Sequence, residues 1–154
     1  MIGNDIVDLQ QADRDSNWNR KGYLDKIFTE EEQFLISSNM HPSLIVWLLW
    51  SMKESAYKIN SRETKMRTFA PIKLRCNNLI IHDGEATGDV LYGDDLYFTS
   101  SVFNEDYVHT IAAKSEQDLT LARVQITGHT DDDYRSSNPT SVSHHGRFLA
   151  LAYI

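Results

Sequence analysis

Glu54 and Lys58 stand four residues apart in the run Trp50-Ser51-Met52-Lys53-Glu54-Ser55-Ala56-Tyr57-Lys58. On a helix this spacing puts a carboxylate and an ammonium on one face, with Trp50 one turn earlier on the same side. Such a pair suits a magnesium-assisted phosphate reaction. Magnesium takes hard oxygen ligands, usually one or two carboxylates plus substrate phosphate, and a lysine balances pyrophosphate charge or helps activate a hydroxyl. The same spacing also describes an ordinary surface pair contributing roughly a few tenths of a kcal/mol. Asp5, with Asp8 nearby, offers a second carboxylate near the N-terminus, and equally fits an exposed residue or a local cap. A third group is Ser141-Val142-Ser143-His144-His145-Gly146, whose hydroxyls, imidazoles and loop amides are phosphate-holding donors. Zinc is a further use for two histidines, although adjacent strand residues point to opposite faces. The run Asp131-Asp132-Asp133 reads as a solvated loop, and Trp18, Trp47 and Trp50 as core or interface residues. The chain has no G-x-S-x-G elbow, Walker A loop or G-x-G-x-x-G fingerprint.

These residues need elements to hold them. Residues 1–9 read as a short strand carrying Asp5 and Asp8. Residues 10–22 read as a polar loop with at most a helical turn. Thr29 followed by Glu32, with Phe28 before it, fits a capping box opening a helix over residues 30–37, with Phe34 and Leu35 turned inward. Pro42 suits the first turn of a second helix over residues 43–60, whose broad apolar face includes Leu44, Trp47, Leu48, Ala56 and Ile59. Residues 61–70 form a basic connection. Strands follow over residues 72–76, 90–92, 96–102, 107–113, 119–126 and 147–154, separated by turn signals such as His82-Asp83-Gly84, with a polar loop over residues 127–140. The layout is α+β: an antiparallel sheet packed against N-terminal helices in a single lobe, with residues 1–154 as one domain.

Composition narrows the function. A formal net charge of -7 argues against a general nucleic-acid binder, which would carry a basic stripe. It leaves room for an anionic ligand bound by local charge. One cysteine, Cys76, forms no intrachain disulfide, and the polar N-terminus is unlike a secretion signal. The longest apolar run, residues 44–50, is far short of the roughly 20 residues that span a bilayer. No membrane association and a cytoplasmic location are expected.

Three blocks, in order, resemble the 4'-phosphopantetheinyl transferase superfamily. Ile2-Gly3-Asn4-Asp5-Ile6-Val7 is similar to the family's G-x-D-I-V block, residues 50–58 to W-x-x-K-E-[AS]-x-x-K, and Ser141-Val142-Ser143-His144 to S-[IV]-S-H. Phe28 and its following glutamates resemble the F-[ST]-x-x-E element between the first two. With S-x-S-H last, the order is similar to that of holo-acyl-carrier-protein synthases, whose short members are homotrimers with active sites between subunits.

The resemblance implies magnesium-dependent transfer of 4'-phosphopantetheine from coenzyme A to a serine of an acyl or peptidyl carrier protein, releasing adenosine 3',5'-bisphosphate. It implies Asp5 and Glu54 as metal ligands and Lys58 as a contact to coenzyme A phosphate. It further implies Lys53 as a second phosphate-orienting lysine, and Ser143 and His144 as holders of the nucleotide 3'-phosphate. Val7 stands where larger members carry an extra acid. A glycine-containing turn, usual after the last lysine of short members, is missing here; Arg62, Lys65 and Arg67 offer substitute contacts. The altered segment also fits a noncatalytic module binding coenzyme A or carrier protein. Arg14, Arg20, Lys21 and Lys26 form a basic stretch suited to docking an acidic carrier.

Overall fold

The computed structural model describes residues 1–128 and 133–154. The acidic loop expected at Asp131 and Asp132 lies outside the described residues. Among the described residues, eight strands form two antiparallel sheets. The larger has the order β1-β5-β4-β3-β2, built from β1 (Ile2–Asp8), β2 (Arg75–His82), β3 (Glu85–Tyr92), β4 (Asp95–Phe103) and β5 (Tyr107–Ala113). The smaller has the order β6-β8-β7, from β6 (Arg123–Gly128), β7 (Ser141–His145) and β8 (Phe148–Tyr153). The helices are α1 (Leu9–Asp15), α2 (Tyr23–Ile27), α3 (Glu30–Ser38), α4 (Pro42–Thr64) and α5 (Glu116–Leu121).

Helix α4 organises the molecule. Pro42 opens it, where a missing N–H costs nothing. Its buried face, including Ile45, Leu48, Leu49, Met52, Ala56 and Ile59, packs on the larger sheet. Polar contacts fix its rotation: Ser51 Oγ lies 2.6 Å from Thr110 Oγ1, and Ser55 Oγ donates to the Thr110 carbonyl at 3.1 Å. Gly3 lets β1 approach closely, since a Cβ there would lie 2.1 Å from the Ser55 carbonyl oxygen. Every residue of β1 is buried, so Asp5 sits inside the fold.

Several expectations are corrected. Residues 10–22 contain a full helix, α1, because Asp8 caps it by accepting from the Gln10 and Gln11 N–H groups. Helix α4 continues past residue 60 to Thr64 and ends at Lys65 in the left-handed region, so its last turn takes up much of the expected connection. The strand expected over residues 119–126 is α5 followed by β6: Ser115 accepts from the Asp118 N–H and starts a short helix first.

The Thr29–Glu32 capping box forms, but Phe34 and Leu35 face outward, 70% and 37% exposed. The cap rotates α3 so that Glu32 and Ile36 face inward. Glu32 finds its partner in Lys53: Lys53 Nζ lies 2.7 Å from Glu32 Oε2 and donates to the Ile27 and Pro71 carbonyls at 2.8 and 2.9 Å.

Candidate active site

The smaller sheet meets the larger along the free edge of β1. There β7 runs alongside β1 and satisfies its backbone with side chains. The Asn4 N–H donates to Ser141 Oγ at 3.0 Å, the Ile6 N–H to Ser143 Oγ at 3.1 Å, and the Asp8 N–H to His145 Nδ1 at 2.9 Å. Strand alternation puts residues 141, 143 and 145 on one face, so the ladder follows from the two-residue period. Asp8 closes the far end. Arg147 donates to it from its backbone and guanidinium, holding the Asp8 carboxyl well below the usual carboxylate range. Gly146, at φ 51°, makes the turn that brings Arg147 there; a Cβ at Gly146 would lie 2.4 Å from Asp8 Oδ2.

A cavity of about 560 Å³ opens where β1, β7, α1 and α4 converge. Asp5, Glu54, Lys58, Ser143 and His144 all line it. Trp47 and Trp50, on the same face of α4 as Glu54, and Tyr23 give it an aromatic wall. Lys58 Nζ donates to the Asn4 carbonyl at 2.6 Å and to Asp5 Oδ1 at 3.2 Å. Ser143 Oγ donates to the same Oδ1 at 3.0 Å. Among the described residues no donor lies on Asp5 Oδ2, and Glu54 makes no hydrogen bond or ion pair.

The electrostatics follow from that shortage. Burial pushes the Asp5 carboxyl up, against the pull of Lys58 and the Ser143 hydroxyl. Glu54 is raised to about 7, first by burial and then by the neighbouring Asp5 charge, against Lys58. A buried carboxylate, Asp5, and a half-buried one, Glu54, thus both lean on the Lys58 ammonium. Among the described residues no group of three or more His, Cys, Asp or Glu side chains is disposed to hold a metal. A pair of carboxylates nonetheless matches magnesium, which commonly takes one or two and completes its shell with water and phosphate oxygens.

The family comparison covers most of this frame. A family model described as the 4'-phosphopantetheinyl transferase superfamily matches residues 1–112 of the chain. The chain belongs to the 4'-phosphopantetheinyl transferase superfamily. Among solved structures, holo-[acyl-carrier-protein] synthase of Thermotoga maritima aligns with a TM-score of 0.49 at 11% identity, covering 97% of this chain and 81% of that one. A search of curated proteins finds no match. Asp5, Glu54 and Lys58 fall inside the family match, while Ser143 and His144 lie beyond it.

Two residues to which the resemblance gives a binding role do not line the superfamily member's cavity. Lys53 is fully buried about 100° round α4 from Glu54, its ammonium enclosed by Glu32 and two carbonyls and engaged away from the cavity. Arg62 does not line the cavity either. It donates to the Ile2 carbonyl at 2.9 Å and to Ser141 Oγ at 3.2 Å, tying α4 to β1 and β7. His145, named in the Ser141–Gly146 donor group but given no role by the resemblance, does line it. Its shared face with Ser141 and Ser143 was the available signal. No helix among the described residues is long and apolar enough to cross a membrane.

Proposed function

We propose that this protein is a cytoplasmic, magnesium-dependent holo-acyl-carrier-protein synthase, moving 4'-phosphopantetheine from coenzyme A to a serine of an acyl or peptidyl carrier protein. The observation that carries this reading is a pair of carboxylates, buried Asp5 and half-buried Glu54, set around Lys58 in one cavity. Asp5 and Glu54 would hold the magnesium ion, whose chemistry there is charge neutralisation and orientation of the diphosphate. Lys58, anchored by Asn4 and Asp5, keeps a donor for a diphosphate oxygen. The carrier serine oxygen forms a bond to the β-phosphorus as the bond to the adenosine bisphosphate oxygen breaks. Glu54, directly or through a metal-held water, would accept the serine proton. His144 lines the cavity as a candidate phosphate donor. Assembly as a homotrimer belongs to the same proposal.

The test is the intact mass of an apo-carrier protein after incubation with coenzyme A, magnesium and this protein. A gain of one phosphopantetheine group, lost with EDTA and in Glu54→Ala, supports the transferase. Unbroken helix through residue 64, with Arg62 engaged inside the fold, favours the noncatalytic module as the second reading. Coenzyme A binding without transfer across several carrier types would select it.

A further inference from the structure

Ser143 lies in a block whose family resemblance implies contact with the nucleotide 3'-phosphate. Its hydroxyl is already committed. Oγ accepts the Ile6 N–H at 3.1 Å, and its own proton points to Asp5 Oδ1 at 3.0 Å. A serine hydroxyl has one proton to give, so donation to Asp5 leaves none for a phosphate. The residue is 7% exposed, and its two partners are consecutive residues of β1. We infer that Ser143 is a positioning residue for the Asp5 carboxylate, not a phosphate contact: it fixes which Asp5 oxygen faces the bound metal. This rests on the proposed reading of Asp5 as a metal ligand.

The geometry gives the assignment a reason. Ser143 and Lys58 both donate to Oδ1. That holds the carboxylate plane from two elements, β7 and α4, and leaves Oδ2 without a donor among the described residues. Hydrogen bonds to a ligating carboxylate orient it, and their loss typically weakens metal binding about 10–100-fold. Ser141 supplies an internal control. It caps the Asn4 N–H just as Ser143 caps that of Ile6, but it makes no contact with Asp5.

The experiment titrates Mn²⁺, without coenzyme A, into wild type, Ser143→Ala and Ser141→Ala, following free Mn²⁺ by electron paramagnetic resonance. Transfer from coenzyme A and from 3'-dephospho-coenzyme A is measured in parallel. The expected result is a Kd for Mn²⁺ raised about tenfold or more in Ser143→Ala and near wild type in Ser141→Ala. Transfer should fall by the same factor for both donors. An unchanged metal Kd with a loss confined to coenzyme A would overturn the assignment and restore the phosphate contact. Equal loss of metal binding in both variants would also overturn it, reducing Ser143 to an edge support for β1. Should Ser143→Ala fail to fold, Ser143→Cys keeps the shape with a weaker donor and is held to the same comparison. Wild type that neither binds Mn²⁺ nor transfers would remove the functional reading itself, and this assignment with it.

Discussion

Lys58 Nζ lies 3.2 Å from Asp5 Oδ1 and 2.6 Å from the Asn4 carbonyl oxygen, so one ammonium ties α4 to two consecutive residues of β1. It also offsets the charge of both cavity carboxylates, Asp5 and Glu54. Replacing it should therefore damage charge balance more than packing. Lys58→Met is expected to reduce kcat/KM for coenzyme A by roughly 100-fold, the scale of losing one donor aimed at developing charge. Steady-state transfer kinetics check this, with circular dichroism confirming the fold.

Glu54 sets a pH dependence on the metal-free protein. Its carboxyl rises from an ordinary 4.5 to about 7, so the folded chain holds a proton that the unfolded chain has lost. Stability from this group falls as pH rises from about 4.5 through 7. Glu54→Gln removes that penalty. In EDTA its Tm at pH 8 should be at or above wild type, with no transfer activity. Thermal melts at pH 5 and pH 8 test it; a Glu54→Gln variant destabilised more at pH 8 than at pH 5 would contradict the account.

His109 works in the other direction. It is buried beside Asn4 Nδ2, and burial lowers it from 6.5 to about 4. Below its unfolded value the unfolded chain binds a proton that the folded one refuses. Stability is full above about 6.5 and is lost as pH falls toward 4. Between pH 6.5 and 5 the loss is about 2 kcal/mol. His109→Gln should flatten that limb in urea unfolding curves taken at pH 7 and pH 5.

Lys53 is predicted to matter for stability and not for coenzyme A. Breaking a fully buried ion pair costs about 3–5 kcal/mol, because the remaining charge is stranded. Lys53→Met should cost about that much in chemical denaturation. Adding Glu32→Gln should recover part of it. The folded fraction should keep the wild-type KM for coenzyme A.

Carrier docking is testable at Arg14, Arg20, Lys21 and Lys26, all exposed on or beside α1 and α2. Tyr23, under the Arg20 guanidinium, also lines the cavity, so this surface adjoins the site. Charge reversal of these four should raise the carrier KM several-fold, more at low salt, and leave coenzyme A KM nearly unchanged. Equal losses for both substrates would refute the docking role.

The sequence by itself determined the elements and candidates that local chemistry encodes. Thr29 with Glu32 wrote the capping box, Pro42 the start of α4, and the four-residue spacing the shared face of Glu54 and Lys58. Three recognisable blocks carried the family. Only the tertiary structure decided what each polar residue faces. Phe34 and Leu35 look like core residues, yet the buried Lys53 claims the inward position of α3 for Glu32. Lys53 and Glu54 are neighbours in one motif, but adjacent helix positions are about 100° apart, so one enters the core and the other the cavity. Ser143 reads from its block as a phosphate donor, and only the laying of β7 against β1 brings its hydroxyl to Asp5, 138 residues away in the chain. Local propensity encodes the period of an element. The direction a side chain takes is set by the partners that folding brings from elsewhere.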